Sequence, residues 1–192
     1  MKRKATTIPA IILCMLIALA GITVFKSGIA YAASGKTPFK VTFSKKAVTL
    51  SDDLNSVLKD GIDKPDIEIL KKAWGSNPAY EGGNDFGGWG SYAWEKGKSN
   101  IGYFYRGEIS GISFNFNDKN GAVCGIKFGT KKATVLKKLK KMVDAENIEN
   151  SKNSITVIHY TDNRAGAVSI FFNFKKGKLA NITGTAYAKS DY

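Results

Sequence analysis

The sequence is poor in the residues from which most catalytic and metal sites are built. It contains a single histidine, His159, and two cysteines among 192 residues. We find no G-x-S-x-G motif, no phosphate-binding loop and no histidine and cysteine set at metal-ligand spacing. His159 alternates with Val157 and Ile155, as in one face of a strand, and a general base also needs an orienting partner. The sequence therefore predicts no catalytic residue, no metal and no cofactor.

Cysteine is too scarce to build a disulfide framework. Cys14 lies in the uncharged N-terminal stretch, so a chain without that stretch keeps only Cys124 and cannot form an intrachain disulfide. A domain without disulfides must be stabilised by its hydrophobic core. Cys124 falls in an apolar run over residues 123–128, which we interpret as a strand. The pattern indicates a small buried side chain rather than a nucleophile.

The N-terminus has the features of a secretion signal. Basic residues 2–4 precede an uncharged stretch over residues 8–25, and small residues flank Tyr31 at Ala30 and Ala32. This order is typical of a cleaved signal peptide and predicts a signal over residues 1–32. The alternative is an uncleaved anchor, because 18 uncharged residues approach the length of a membrane span. We expect a secreted protein or one at the extracellular face of the cell envelope, with membrane contact only through an uncleaved signal.

The charge balance is strongly basic. The net charge is +13, and removal of residues 1–32 takes four of the 29 basic residues and none of the 16 acidic ones, which leaves +9. Such an excess favours anionic surfaces, although it also serves solubility alone. We expect a protein or an anionic cell-wall polymer as partner, and no specific nucleic acid.

The remaining 160 residues read as one domain with a short leader. Residues 33–49 are interpreted as a leader or linker, or as an edge strand, and residues 50–192 as a single domain. Apolar spacing predicts helices that begin near Ser51, at Pro65 and at about Lys131. Residues 80–128 and 154–187 alternate in hydrophobicity and predict strands. The segment 117–121 predicts a hairpin turn rather than a calcium loop, because the twelve-residue ligand pattern is incomplete.

Two parts of the chain share one plan. The I-L-K-K segment at 69–72 aligns with V-L-K-K at 135–138, and the I-x-F-N-F segments at 112–116 and 170–174 also align. We interpret this as two tandem repeats, at about 50–128 and 129–187, each a helix followed by antiparallel strands. The predicted fold class is α+β, in which both repeats share one sheet and the helices cover one of its faces.

This arrangement resembles the tandem-repeat fold of the secreted β-lactamase-inhibitory proteins. It also resembles the small outer-membrane assembly lipoproteins, which carry one such unit, and the whole chain is similar to a family of uncharacterised secreted proteins of bacilli. The resemblance rests on residues 129–139 and on the F-N-F segments with the turn and strand that follow each. It implies the fold over about residues 50–187. The paired disulfides of the inhibitors are missing, and the fold alone does not imply their function.

A glycine-rich and aromatic segment over residues 80–105 is the candidate binding site. Glycine-rich loops contribute little to a core, because ordering glycine costs additional entropy. Aromatic side chains on such a loop offer flat faces to sugar rings, peptides or a partner protein. The alternative is that the strand aromatics cover the sheet. The candidate partner-binding residues are Tyr80, Phe86, Trp89, Tyr92 and Trp94.

These observations favour an exported, non-enzymatic binding or inhibitory module at the cell envelope or outside it. One alternative is a cell-wall-active hydrolase that uses carboxylates such as Glu81, Asp85 or Glu95, since glycosidases need a spaced carboxylate pair. Another alternative is a stress or assembly factor without a small ligand. Nothing in the sequence separates that last reading from a binding module.

Overall fold

The computed structural model of the chain describes residues 39–49, 67–83, 89–106, 109–160 and 166–189, all within one compact unit. The signal sequence, the helix predicted from Ser51 and Phe86 lie outside these residues. The elements are β1 (Lys40–Phe43), β2 (Lys46–Thr49), α1 (Glu68–Trp74), β3 (Ala79–Gly83), β4 (Trp89–Lys96), β5 (Ser99–Arg106), β6 (Ile109–Phe116), β7 (Gly121–Val123), β8 (Ile126–Lys127), α2 (Lys132–Leu139), a 3-10 turn (Ala145–Asn147), β9 (Ile148–Asn150), β10 (Ser154–Tyr160), β11 (Gly166–Lys175) and β12 (Lys178–Lys189).

The predicted α+β fold class is wrong, because the protein is mostly β. Its strands form two antiparallel sheets of four and eight strands, and the described residues contain only two α-helices, of seven and eight residues. In each of these helices, the apolar residues at helical spacing extend over only about two turns. α1 buries Leu70 and Trp74, and α2 buries Val135 and Leu139. Two such short helices cannot cover a sheet of eight strands.

The eight-stranded sheet consists of two four-stranded meanders. Its strand order is β3-β4-β5-β6-β12-β11-β10-β9, so β6 and β12, the last strands of the two meanders, pair at the centre. In this register Phe116 lies opposite Ile182 and Phe114 opposite Gly184. β-branched and aromatic residues at every second position suit such strands, because their side chains pack well on a pleated surface.

The four-stranded sheet has the order β2-β1-β7-β8 and includes the N-terminal segment. Residues 40–49, assigned from the sequence to a leader or an edge strand, form β1 and β2. β1 is an inner strand, in which Val41 pairs with Val48 on one side and Val123 on the other. Val41, Phe43 and Val48 are buried. This segment therefore contributes to the core.

The prediction of a hairpin around residues 117–121 is wrong. β6 and β7 flank this turn but belong to different sheets. The reason is that both edges of β6 are already occupied, one by β5 and the other by β12. The chain must therefore leave the large sheet after Phe116, and β7 pairs with β1 instead. The expected single strand over residues 123–128 is likewise a hairpin, formed by β7 and β8.

The core lies on one face of the eight-stranded sheet. Phe43 of the small sheet stacks on Phe116, with ring centroids 6.1 Å apart. Trp74 of α1 meets Trp94 of β4 edge to face at 5.2 Å. These contacts join the small sheet, α1 and the large sheet in one apolar cluster, to which Val135 of α2 also belongs.

The internal sequence matches do not relate equivalent positions. The two F-N-F segments lie on β6 and β11, which are the fourth strand of one meander and the third strand of the other. α1 buries Leu70 and Trp74, and α2 buries Val135 and Leu139. The buried positions therefore align Leu70 with Val135, one residue away from the sequence match, which aligns residue 69 with residue 135. Within the described residues, no helix has the length and apolar character needed to cross a bilayer.

Candidate functional site

The large sheet has a second face that points away from the core, which we call the open face. It carries Trp89, Phe104, Ile109, Thr185, Phe171 and Ile158, as the strand register shows. The alternation is clear on β11, where Phe172 is fully buried and its neighbour Phe171 is 40% exposed. Ile109 on β6 is 42% exposed. The open face is therefore a broad surface with apolar side chains in contact with solvent.

Two aromatic rings on this face contact glycines of the sheet. A side chain at Gly111 would meet the ring of Phe104, and one at Gly83 would meet the indole of Trp89. The glycines thus provide shallow positions in which the rings rest against the sheet, an arrangement known to compensate for glycine in strands. Trp89 pairs in register with Arg106. This corner of the open face therefore carries aromatic residues and Arg106 on adjacent strands.

Four asparagines form a hydrogen-bonded cluster at the other end of the open face. The Asn181 amide donates to the side-chain oxygens of Asn115 at 2.7 Å and Asn117 at 2.9 Å. Asn173 donates to Asn181 at 3.0 Å, and Asn117 donates to Asn115 at 3.0 Å. Phe171 lies two residues before Asn173 on the same face. The sequence showed Asn115 and Asn173 only as the polar member of F-N-F, and their clustering with Asn117 and Asn181 depends on the pairing of β12 with β6 and β11.

The five candidate residues from the sequence do not share one face. Trp89 lies on the open face, whereas Tyr80, Tyr92 and Trp94 point to the opposite side. Trp94 is 5% exposed, and its indole nitrogen donates to the carbonyl oxygen of Gly75 at 2.7 Å. Trp94 therefore offers little surface to a partner. Phe86 lies outside the described residues.

Tyr80 and Tyr92 belong to a row of tyrosines that continues into the core. Tyr92 packs between Tyr80, at 4.7 Å, and Tyr103, at 6.4 Å between ring centroids. Burial raises the pKa of Tyr103 to about 12. Burial, together with the contact to the Tyr80 hydroxyl at 3.4 Å, also raises the pKa of Tyr105. These phenols stay protonated at neutral pH and are unsuited to act as bases.

The carboxylates proposed for a hydrolase are far apart along the sheet. Glu81 pairs with Ser91, whereas Glu95 lies four residues further along β4. At about 3.3 Å per residue this separates the two backbone positions by about 13 Å. A glycosidase needs carboxyl groups about 5 to 9.5 Å apart. Asp85 lies outside the described residues, so the described geometry does not favour this alternative.

Cys124 and His159 lie on different elements of the fold. Cys124 lies with Gly125 in the two-residue turn between β7 and β8, and both have positive φ, as type I′ turns require. Burial raises the pKa of the Cys124 thiol, which favours the less reactive protonated form. The backbone of His159 lies in β10 opposite Val168. Among the described residues, no cluster of histidine, cysteine and carboxylate side chains has the makeup of a metal site.

Asp118 has a structural role in the turn between β6 and β7. Its carboxylate accepts hydrogen bonds from the Lys98 amide at 2.7 Å, the Ser99 hydroxyl at 2.7 Å and the Asn120 amide at 2.9 Å. Partial burial acts to raise the pKa of Asp118, but these hydrogen bonds outweigh it and lower the pKa to about 2. The turn interpretation of this segment therefore agrees with the structure.

No protein-family model, curated protein or solved structure matches the chain. The resemblance to the β-lactamase-inhibitory proteins and to secreted proteins of bacilli stays a prediction from the sequence. The candidate site accordingly rests on the geometry of the open face alone.

Proposed function

We propose that the chain is an exported, non-enzymatic binding or inhibitory module that acts at the cell envelope or outside it through the open face. The observation that carries the proposal is the pair of half-buried rings, Trp89 and Phe104, each in contact with a glycine on the open face near Arg106. Tryptophan and arginine are enriched among the residues that dominate binding energy. The export part of the proposal rests on residues 1–32.

The shape of the open face suits an extended partner. Small side chains occupy its centre, with Gly102, Ser113, Thr185 and Ser169 in adjacent register across four strands. Such small side chains leave the strands of the described sheet accessible side by side over several residues. A folded protein or a linear cell-wall polymer makes contact over such an area, and the positive net charge favours an anionic partner.

The first test is co-sedimentation of Ala33–Tyr192 with purified cell walls across a series of salt concentrations. We expect binding to persist at high salt, because aromatic contacts are not screened as charge attraction is. The Trp89→Ala variant should bind at least about tenfold more weakly, as expected for a central aromatic contact. Tyr80→Ala is the matched control, since Tyr80 is exposed but on the other side of the sheet.

Equal binding by wild type, Trp89→Ala and Tyr80→Ala would remove the open face from the proposal. Binding that disappears with salt in all three proteins would leave charge attraction alone as the cause of retention. Release of soluble glycan fragments from the walls by the purified protein would replace the binding module with the hydrolase alternative.

A further inference from the structure

Lysines are concentrated at one end of the eight-stranded sheet. The turns between β4 and β5, β6 and β7, β9 and β10, and β11 and β12 all lie at this end, as the register of the strands requires. Each of these turns carries at least one exposed lysine. We call this set the lysine rim; it consists of Lys96, Lys98, Lys119, Lys152, Lys175, Lys176 and Lys178.

Few acidic side chains lie among the lysines of the lysine rim. From the β4–β5 turn to the β9–β10 turn it crosses five strand spacings, or about 24 Å. Asp118 is the one acid in these four turns, and its two oxygens accept hydrogen bonds from within the turns. In contrast, the connecting segments 84–88, 107–108 and 161–165, together with the strand ends beside them, contain three acids and three basic residues, Arg106, Arg164 and Lys189. The positive charge is therefore segregated to one end of the strands.

Phe128 lies at the same end and is 50% exposed. Its loop is held against the start of β12, because the Gly129 amide donates to the Leu179 carbonyl and the Leu179 amide donates to the Thr130 carbonyl, each at 2.8 Å. The backbones of Lys131 and Lys178 form an isolated antiparallel β-bridge next to this loop. An exposed aromatic side chain is thus fixed beside the β11–β12 part of the lysine rim.

We propose that the lysine rim and Phe128 dock the domain on an anionic lipid bilayer. A row of lysines matches a flat surface of headgroup phosphates, and aromatic side chains favour the boundary between headgroups and acyl chains. A hydrophilic linear polyanion would also attract the lysines, but it offers Phe128 no apolar environment. The exposed ring therefore selects the bilayer. This surface lies at the opposite end of the sheet from Trp89 and Phe104 and goes beyond the proposed function.

The test measures binding of Ala33–Tyr192 to phosphatidylcholine vesicles with and without one third phosphatidylglycerol. This unit contains every described strand and omits the uncharged N-terminal stretch. We expect binding to the anionic vesicles only. The triple variant Lys152→Gln, Lys176→Gln, Lys178→Gln should bind them on the order of 100-fold more weakly, given the contribution of each lysine near an anionic surface.

The matched control for charge is the triple variant Lys137→Gln, Lys140→Gln, Lys141→Gln. These exposed lysines lie at or beyond the C-terminal end of α2, and their replacement changes the net charge equally. We expect less than about a threefold loss of vesicle binding. If the two triple variants lose binding equally, only net charge acts and the proposal is overturned.

A second pair of variants distinguishes a bilayer from a linear polyanion. Phe128→Ser should weaken vesicle binding about tenfold, as expected for burial of a half-exposed ring, and leave binding to soluble polyphosphate unchanged. Tyr80→Ser, at an exposed aromatic residue outside both the lysine rim and the open face, should leave both unchanged. Wild-type vesicle binding by Phe128→Ser would overturn bilayer docking. Loss of wall binding by Trp89→Ala with intact vesicle binding would separate this surface from the proposed partner contact.

Discussion

At the scale of single residues, Asp118 shows how a turn that connects two sheets is held in place. The carboxylate connects the β6–β7 turn to Lys98, in the turn before β5, and to Ser99, the first residue of β5. It also accepts from the side-chain amide of Asn120 at 3.1 Å. All of these donors favour the ionised form. The lowered pKa therefore indicates that the charge on Asp118 stabilises the folded state.

We predict that Asp118→Asn lowers stability in a pH-dependent manner. The pKa of Asp118 is about 2 in the folded protein and 3.8 without these contacts. The stabilisation is thus fully present above about pH 5 and is lost as the pH falls towards about 2. Urea unfolding at several pH values should show a constant difference between wild type and variant above about pH 5, shrinking at lower pH. Glu146→Gln, an exposed site with the same change in charge, is the control; a pH-independent difference for Asp118→Asn would contradict the assignment.

At the scale of elements, the strands of the sheet divide their residues between a buried and an open face. β11 gives the sharpest comparison, because Phe172 is fully buried and Phe171 is 40% exposed. Their identical side chains occupy successive positions, so any difference in the effect of substitution reports the face on which each lies.

We predict that Phe172→Ala lowers the free energy of unfolding by about 3 to 5 kcal/mol, because it leaves a cavity in the core. Phe171→Ala should change it by less than about 1 kcal/mol, as for most surface substitutions. Urea denaturation of both variants at neutral pH measures the difference. Similar losses in the two variants would mean that the open face is covered in solution.

The sequence identified strands well but not their partners or their outward faces. Alternation showed that Tyr92 and Trp94 share a face, yet the period of two is the same whichever face is buried. Trp89, which lies on the opposite face, was grouped with them because all three fall in one aromatic segment. The F-N-F motifs were matched although their strands occupy different places in the sheet. Strand pairing depends on residues distant in the chain, such as Phe116 and Ile182, and no local pattern specifies it.

At the scale of the whole molecule, the N-terminal strands decide where the domain begins. β1 and β2 bury Val41, Phe43 and Val48 in the cluster that also contains the large sheet, and Phe39 just before β1 is buried as well. From the sequence, residues 33–49 are interpreted as a leader, a linker or an edge strand, because the segment is short and rich in lysine. Its burial depends on β7, which supplies the partner strand about 80 residues later.

We predict that the chain beginning at residue 50 does not fold. It lacks four buried apolar side chains, and each costs about 2 to 4 kcal/mol when removed, against a typical total stability of about 5 to 15 kcal/mol. Circular dichroism and thermal unfolding of residues 50–192 should show no cooperative transition, whereas Ala33–Tyr192 should unfold cooperatively. A cooperative transition in the shorter chain would show that β1 and β2 are dispensable.

The central position of β12 also governs when the sheet is completed during synthesis. β12 follows all the other described strands in the sequence, yet it lies between β6 and β11 and joins the two meanders. When the chain emerges with its N-terminus first, strands β3–β6 and β9–β11 can each pair locally before β12, which joins the two groups, has emerged. Until then β6 and β11 each keep an unpaired edge, and such edges are prone to wrong pairing. The domain therefore reaches its native sheet only after residues 178–189 have been released, and a chaperone that shields these edges would act within that interval.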